Sequence, residues 1–156
     1  MTLPKSASRT ALSAVTADTA VTSLLTIETS GRDFIDLTGE VRKFVQDACA
    51  REGVVILFIR HTSASLTIQE NADPSVLDDL MTALDRLAPE DAGWTHDSEG
   101  PDDMPAHVKS MLTASSLHIP VLKRELALGT WQAIYLVEHR RRPHRREIVL
   151  QFFGAV

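Results

Sequence analysis

His61, His96 and His107 are the residues of this 156-residue chain whose surroundings point first to chemistry. His61 lies just past the apolar run "VVILFI", where rigid backbone meets the surface. His96 has Asp97 and Glu99 nearby, and His107 has Asp102 and Asp103. Three neutral imidazoles completed by a carboxylate or water are a ligand set for zinc or a similar divalent ion. Their separations match no compact metal motif, and each histidine taken singly reads as a surface or packing residue. As a group flanked by acids they form a candidate shared site.

Other polar residues suit the handling of phosphate or protons. The segment "ENADP" sets Glu70, Asn71 and Asp73 before a helix. Asp73 reads as its cap, whereas Glu70 and Asn71 have no such duty and are candidates for contacts to metal, water or substrate. The start of the helix "MPAHVKSML" offers free N–H groups to phosphate, with His107, Lys109 and Ser110 as further donors. The plainer reading is that Asp103 caps this helix and satisfies those donors itself. "GTWQ" places the Trp131 indole and the Gln132 amide at a strand start, where a core tryptophan is the commoner outcome. The run "EHRRRPHRRE" reads as a solvated hairpin turn, from which one or two arginines would fit phosphate oxygens. Glu138 ends an alternating strand and is expected to face the pocket of the histidines.

These groups need a scaffold, and its elements are visible in the periodicities. "VTSLLTIET" has strand composition, and "GRDFIDLT" adds a turn and a short alternating segment, which suggests a β-hairpin. Val41, Phe44, Val45, Ala48 and Cys49 recur at helical spacing, with Thr38 as cap, Gly53 as stop and Cys49 on the packed side. "VVILFI" reads as a strand covered on both faces. A second helix starts at Pro74 and presents Val76, Leu77, Leu80, Met81, Leu84 and Leu87 on one face. A third, short helix follows a Gly/Pro-containing loop. "LHIPVL", "WQAIYLVEH" and "REIVLQFF" read as strands. This order suggests an α+β fold: a single compact domain with a mostly antiparallel β-sheet and about three helices. Residues 1–20 read as a flexible extension rich in Ser, Thr and Ala, and 21–156 as the domain.

Composition narrows the function classes. A net charge of -5 argues against nucleic acid as a partner. With one cysteine, a disulfide framework or a Cys-rich zinc module within the chain is excluded. No apolar run approaches a membrane span, so a cytoplasmic protein with no membrane partner is expected.

The strings "HTSASLTIQENADPSVLDDL", "HDSEGPDDMPAHVKSML", "LGTWQAIYLVEHR" and "RREIVLQFFG", in that order, resemble the YjbQ family, the secondary thiamine-phosphate synthase family. The resemblance runs from Ser23 to Gly154. It implies a homotrimer with sites near subunit contacts. It also implies a weak activity that joins hydroxymethylpyrimidine diphosphate to thiazole phosphate with release of pyrophosphate. Residues matching the family's polar pattern are His61, Thr62, Ser63, Glu70, Asn71, Asp73, His96, Asp103, His107, Ser110, Trp131, Gln132, Glu138 and Arg145. Where some relatives carry cysteine this chain has Ala72, and where others have a Gly-containing segment it reads "LTASS".

The expectation is therefore a metal-assisted enzyme with His61, His96 and His107 as ligands to a divalent ion, zinc first. Asp103 and Glu138 would orient imidazoles or move protons, beside Glu70 and Asn71. Thr62, Ser63, Ser110, Trp131, Gln132 and Arg145 would bind a small phosphorylated metabolite. The alternatives are a metal-dependent hydrolase of a small phosphorylated or cyclic metabolite and a non-catalytic trimeric metabolite-binding module.

Overall fold

A computed structural model describes residues 6–156. Residues 1–5 of the expected extension lie outside the described residues, and 6–18 are exposed with neither helix nor strand. The elements that follow are β1 (Thr19–Thr29), β2 (Asp33–Asp36), α1 (Thr38–Asp47), β3 (Glu52–Ile59), β4 (Ala64–Glu70), α2 (Pro74–Leu87), α3 (Asp103–Leu112), β5 (Ser116–Leu122), β6 (Glu125–Leu126), β7 (Gln132–Glu138) and β8 (His144–Ala155). They form an α+β domain with two antiparallel sheets, ordered β1-β8-β3-β5-β6 and β2-β7-β4.

Strand alternation explains how the sheets share one core. In β8, Ile148, Leu150 and Phe152 point inward, while Val149, Gln151 and Phe153 point outward. Val55, Leu57 and Ile59 of β3 join them from the large sheet, Leu66, Ile134 and Leu136 from the small one, and Val41 and Val45 from α1. Gly53 and Gly154 face each other across β3 and β8, and a Cβ on Gly53 would lie 2.8 Å from the Gly154 Cα. Only glycine fits there.

Four expectations are corrected. β1 and β2 form no hairpin, because β1 pairs with β8 and β2 with β7 in separate sheets. Gly53 is a strand residue, and α1 instead ends through Ala48 and an exposed Cys49 in the left-handed region (φ 52°). β3 is not covered on both faces within this chain, since Phe58 is 48% exposed. The fourth concerns α2: its apolar stripe is present, yet none of its residues is buried. Asp73 does cap α2, its Oδ1 accepting from the Ser75 N–H at 2.9 Å.

Candidate functional site

The histidine cluster is built where α3 begins. The chain turns through Gly100, whose carbonyl accepts from the Asp103 N–H at 3.2 Å, and the N-cap position falls on Asp102. Asp103 therefore does not cap the helix, which corrects the sequence expectation. As the first helical residue, about 100° further round the axis, it turns its carboxylate inward, where it is 3% exposed.

Arg140 holds this corner. Its guanidinium donates to Asp103 Oδ1, to Asp102 Oδ2 at 3.2 Å and to the Glu99 carbonyl at 2.9 Å. The Arg141 N–H adds a bond to Asp102 Oδ2 at 2.9 Å. Burial alone would raise the Asp102 carboxyl, but the Arg141 N–H and the Arg140 guanidinium outweigh it and hold it below the usual carboxylate range.

The other oxygen of Asp103 has no such partner. Oδ2 is buried without a hydrogen bond among the described residues. His96 Nε2 approaches it at 2.9 Å without hydrogen-bond alignment, and His107 Nε2 lies 3.7 Å away. One ligand atom from each of the three residues falls within 4.8 Å of the others. His107 Nδ1 lies 3.0 Å from the Thr62 carbonyl. A carbonyl only accepts, so Nδ1 carries a proton, and in the neutral ring the Nε2 lone pair faces Asp103.

A small divalent cation fits this group. It would satisfy the orphaned carboxylate oxygen, the His107 tautomer is already the ligating one, and Arg140 and Thr62 supply the outer contacts that orient metal ligands.

His61 is not in this cluster. Its Nε2 accepts from the Glu147 N–H at 2.8 Å on β8, which fixes the ring against the sheet. Burial first, then the Arg146 charge, push its pKa below the ordinary histidine value. The expected set His61, His96, His107 is thus replaced geometrically by His96, Asp103, His107.

Glu138 departs from its expected role. Fully buried, it accepts from Arg146 Nε at 2.7 Å and Nη2 at 2.6 Å, from Thr29 Oγ1 at 2.9 Å and from the Arg140 N–H at 2.9 Å. Burial would raise its pKa, but these donors prevail and lower it. A carboxylate with four donors is an anchor and has no free lone pair aimed at the histidines. Ser63 serves the same anchor, with Oγ accepting from Arg146 at 3.1 Å. Ser110 donates to the Ala64 carbonyl at 3.0 Å and pins α3 to β4. Arg145 is exposed and faces Glu28 across β1 and β8, 3.9 Å away.

The remaining site residues gather elsewhere. Glu70 pairs with Gln132 and Ala64 with Glu138 in the β4–β7 register, so Glu70 and Gln132 lie on the order of 20 Å along the strands from the Glu138 end. Asn71 N–H bonds the Trp131 carbonyl at 3.0 Å, Gln132 Oε1 accepts from the Gly129 N–H at 2.8 Å, and the Trp131 indole is largely exposed. Within one chain, Glu70, Asn71, Trp131 and Gln132 do not reach the histidine cluster.

Sequence reasoning missed Arg140 as the residue that orients Asp103, and His139, which is buried with Nε2 2.8 Å from Ser65 Oγ. A signal for Arg146 existed: counting back by two from Ile148 places it on the inward face.

The family model described as UPF0047 protein YjbQ-like matches residues 23–155. The chain belongs to this family. Among its YjbQ-like relatives, a UPF0047 protein of Synechocystis is 47% identical over 85% of this chain and 91% of its own length. The UPF0047 protein YjbQ of Escherichia coli O157:H7 is 40% identical over 83% and 95%. A solved YjbQ/UPF0047 protein of Clostridium acetobutylicum superimposes with a TM-score of 0.78 at 36% identity, covering 83% of this chain and 98% of that one. A hypothetical protein of Aeropyrum pernix gives 0.80 at 27% identity, over 86% and 99%. No helix among the described residues is long and apolar enough to cross a membrane.

Proposed function

We propose that this chain is a cytoplasmic enzyme that holds a divalent cation, zinc first, on His96, Asp103 and His107 and acts there on a small phosphorylated metabolite. The observation that carries this reading is Asp103 Oδ2, a buried carboxylate oxygen with no hydrogen-bond partner among the described residues, beside two imidazole Nε2 atoms. The reaction follows the family resemblance: hydroxymethylpyrimidine diphosphate and thiazole phosphate are joined, and pyrophosphate leaves. A bound cation would supply charge neutralisation at the departing pyrophosphate. The chain's part is orientation. Arg140 fixes Asp103, the Thr62 carbonyl fixes the His107 ring, and the half-exposed His96 keeps the group open to substrate.

Assembly as a homotrimer belongs to the same proposal. The apolar stripe of α2 supports it, because a single chain leaves these residues only half-buried and Leu87 66% exposed. Assembly would also allow Glu70, Asn71, Trp131 and Gln132 of a neighbouring copy to complete a site that they do not reach within one chain.

The test is metal analysis of untagged protein combined with a synthase assay. Stoichiometric metal, lost in His107→Ala together with thiamine-phosphate formation, is the expected result. Metal-free protein whose synthase activity ignores chelation would sink the ligand group, and intact synthesis by His107→Ala would sink its catalytic role.

A second reading, hydrolysis of a phosphorylated or cyclic metabolite, draws on the same geometry: three protein ligands with one open side are the arrangement that activates water. Product analysis separates the readings, since synthesis requires both halves and releases pyrophosphate, whereas hydrolysis requires one substrate and water. Saturable ligand binding without turnover at any metal concentration would instead indicate a binding module.

A further inference from the structure

A second polar corner lies on the far side of α3 from the histidines. Arg32, in the turn between β1 and β2, and Lys109 of α3 both place a nitrogen on the single oxygen Oδ1 of Asp85, Lys109 at 2.7 Å. The Lys109 side chain is 4% exposed. Arg32 Nε is buried and has no hydrogen-bond partner among the described residues. One carboxylate thus serves two cations, one of them deeply buried, and an N–H of the other is left unused.

These groups open onto a cleft of about 320 Å³ lined also by Pro89, Glu90, Asp91 and Arg141. At its rim Arg141 engages Glu90 at 2.7 Å, and Asp91 lines the cleft with an exposed side chain. The inner end therefore holds two positive charges against one negative. The charge is felt at His139, whose pKa is lowered to about 3 by burial first and by Lys109 second.

Asp85 is held by its two ion pairs and by little packing. Its side chain is 44% exposed, and it belongs to α2, the helix with no buried residue. Withdrawing it breaks contacts to Arg32 and Lys109 and removes little packing. A phosphate dianion matches the two cations in charge where a single carboxylate does not. It also brings enough acceptors to use a guanidinium fork, the idle Nε and an ammonium together.

We propose that this cleft binds the phosphate group of a small metabolite, which displaces the Asp85 carboxylate from Arg32 and Lys109. The site is separate from the histidine group and needs no metal.

The test is calorimetric titration of inorganic phosphate into the full chain after chelator treatment, with folding of each variant checked by circular dichroism. Saturable binding is expected, weakened about tenfold or more in Arg32→Gln, as for loss of a charge-assisted bond. In Asp85→Asn binding tightens, because the competing charge is gone. That gain cannot arise from unfolding, so it decides the matter even if Arg32→Gln folds poorly. Absence of saturable binding, or an affinity unchanged in Asp85→Asn, would overturn the proposal. So would binding that appears only with added metal and vanishes in His107→Ala, since it would belong to the histidine group.

Discussion

Two clusters of histidine, acid and arginine meet at Arg140 and differ in one respect. At the head of α3, Asp103 receives Arg140 on one oxygen and leaves the other buried without a donor. At the end of β7, Glu138 has four donors on its two oxygens, and the neighbouring His139 ring is bonded to Ser65. Residue types alone do not distinguish these centres; the unfilled acceptor does. A saturated buried carboxylate stabilises the fold, whereas a deficient one beside two imidazole Nε2 atoms is a place for a cation.

The contrast is broken most forcefully at Glu138. Glu138→Ala leaves Arg146 charged and buried without its partner, and removing one member of such a pair costs about 3–5 kcal/mol. Denaturant unfolding should show this loss, while any surviving folded protein keeps its metal affinity. A Glu138→Ala chain of wild-type stability would mean that the anchor reading is wrong.

His139 gives the next effect, through pH. Its folded pKa of about 3 lies below the ordinary 6.5, so the unfolded chain binds the proton more readily. The stability is fully present above pH 6.5 and is lost as pH falls from there toward 3. The loss by pH 5 is about 2 kcal/mol. Chemical denaturation at pH 7 and pH 5 measures it, and His139→Gln should flatten the slope. His61, whose pKa is also lowered, adds to the same limb with the same sign.

The deficient centre should respond in the opposite manner. Asp103→Asn removes a ligand charge, and a fall of at least tenfold in divalent-metal affinity is expected, since even outer-contact changes cost 10–100-fold. Stability should change far less than in Glu138→Ala, because the amide supplies donors where Oδ2 had no partner. A competition assay with a chromogenic chelator reads the first, and thermal melting without metal reads the second. A large stability loss with unchanged metal affinity would make Asp103 a second structural anchor.

Much of this scaffold was legible from periodicity. The three helices, the strand ending at Glu138 and the Asp73 cap all follow local rules that the structure obeys, although β7 is buried from Ala133 to Glu138 without alternating. What escaped depends on one-residue offsets or on contacts between distant segments. Asp103 read as a cap because it precedes Met104 and Pro105, but with the cap at Asp102 it turns inward to Arg140, 37 positions away. "VVILFI" read as covered on both faces because a continuous apolar run carries no period. In this chain its pairing with β5 and β8 leaves Phe58 outward. The arginine run read as a solvated turn, although Arg140 and Arg146 are drawn inward by Asp102, Asp103 and Glu138. The strand period of β8 marks Arg146 as inward, but nothing local in the sequence marks the pairing of Arg140 with Asp102 and Asp103.

The finest discrimination lies at His61, which shares residue type and a neighbouring loop with the ligand group but not its geometry. Its Nε2 is already occupied by the Glu147 N–H, so His61→Asn removes no ligand. It does loosen the loop whose next carbonyl, Thr62 O, orients His107. The effect on metal affinity should therefore be indirect, about tenfold at most, the lower end expected for an outer contact. His96→Ala and His107→Ala should each exceed it in the same competition assay. If His61→Asn instead matched His107→Ala, the imidazole would have to leave Glu147 when metal binds, and the ligand set would be His61, His96 and His107 after all.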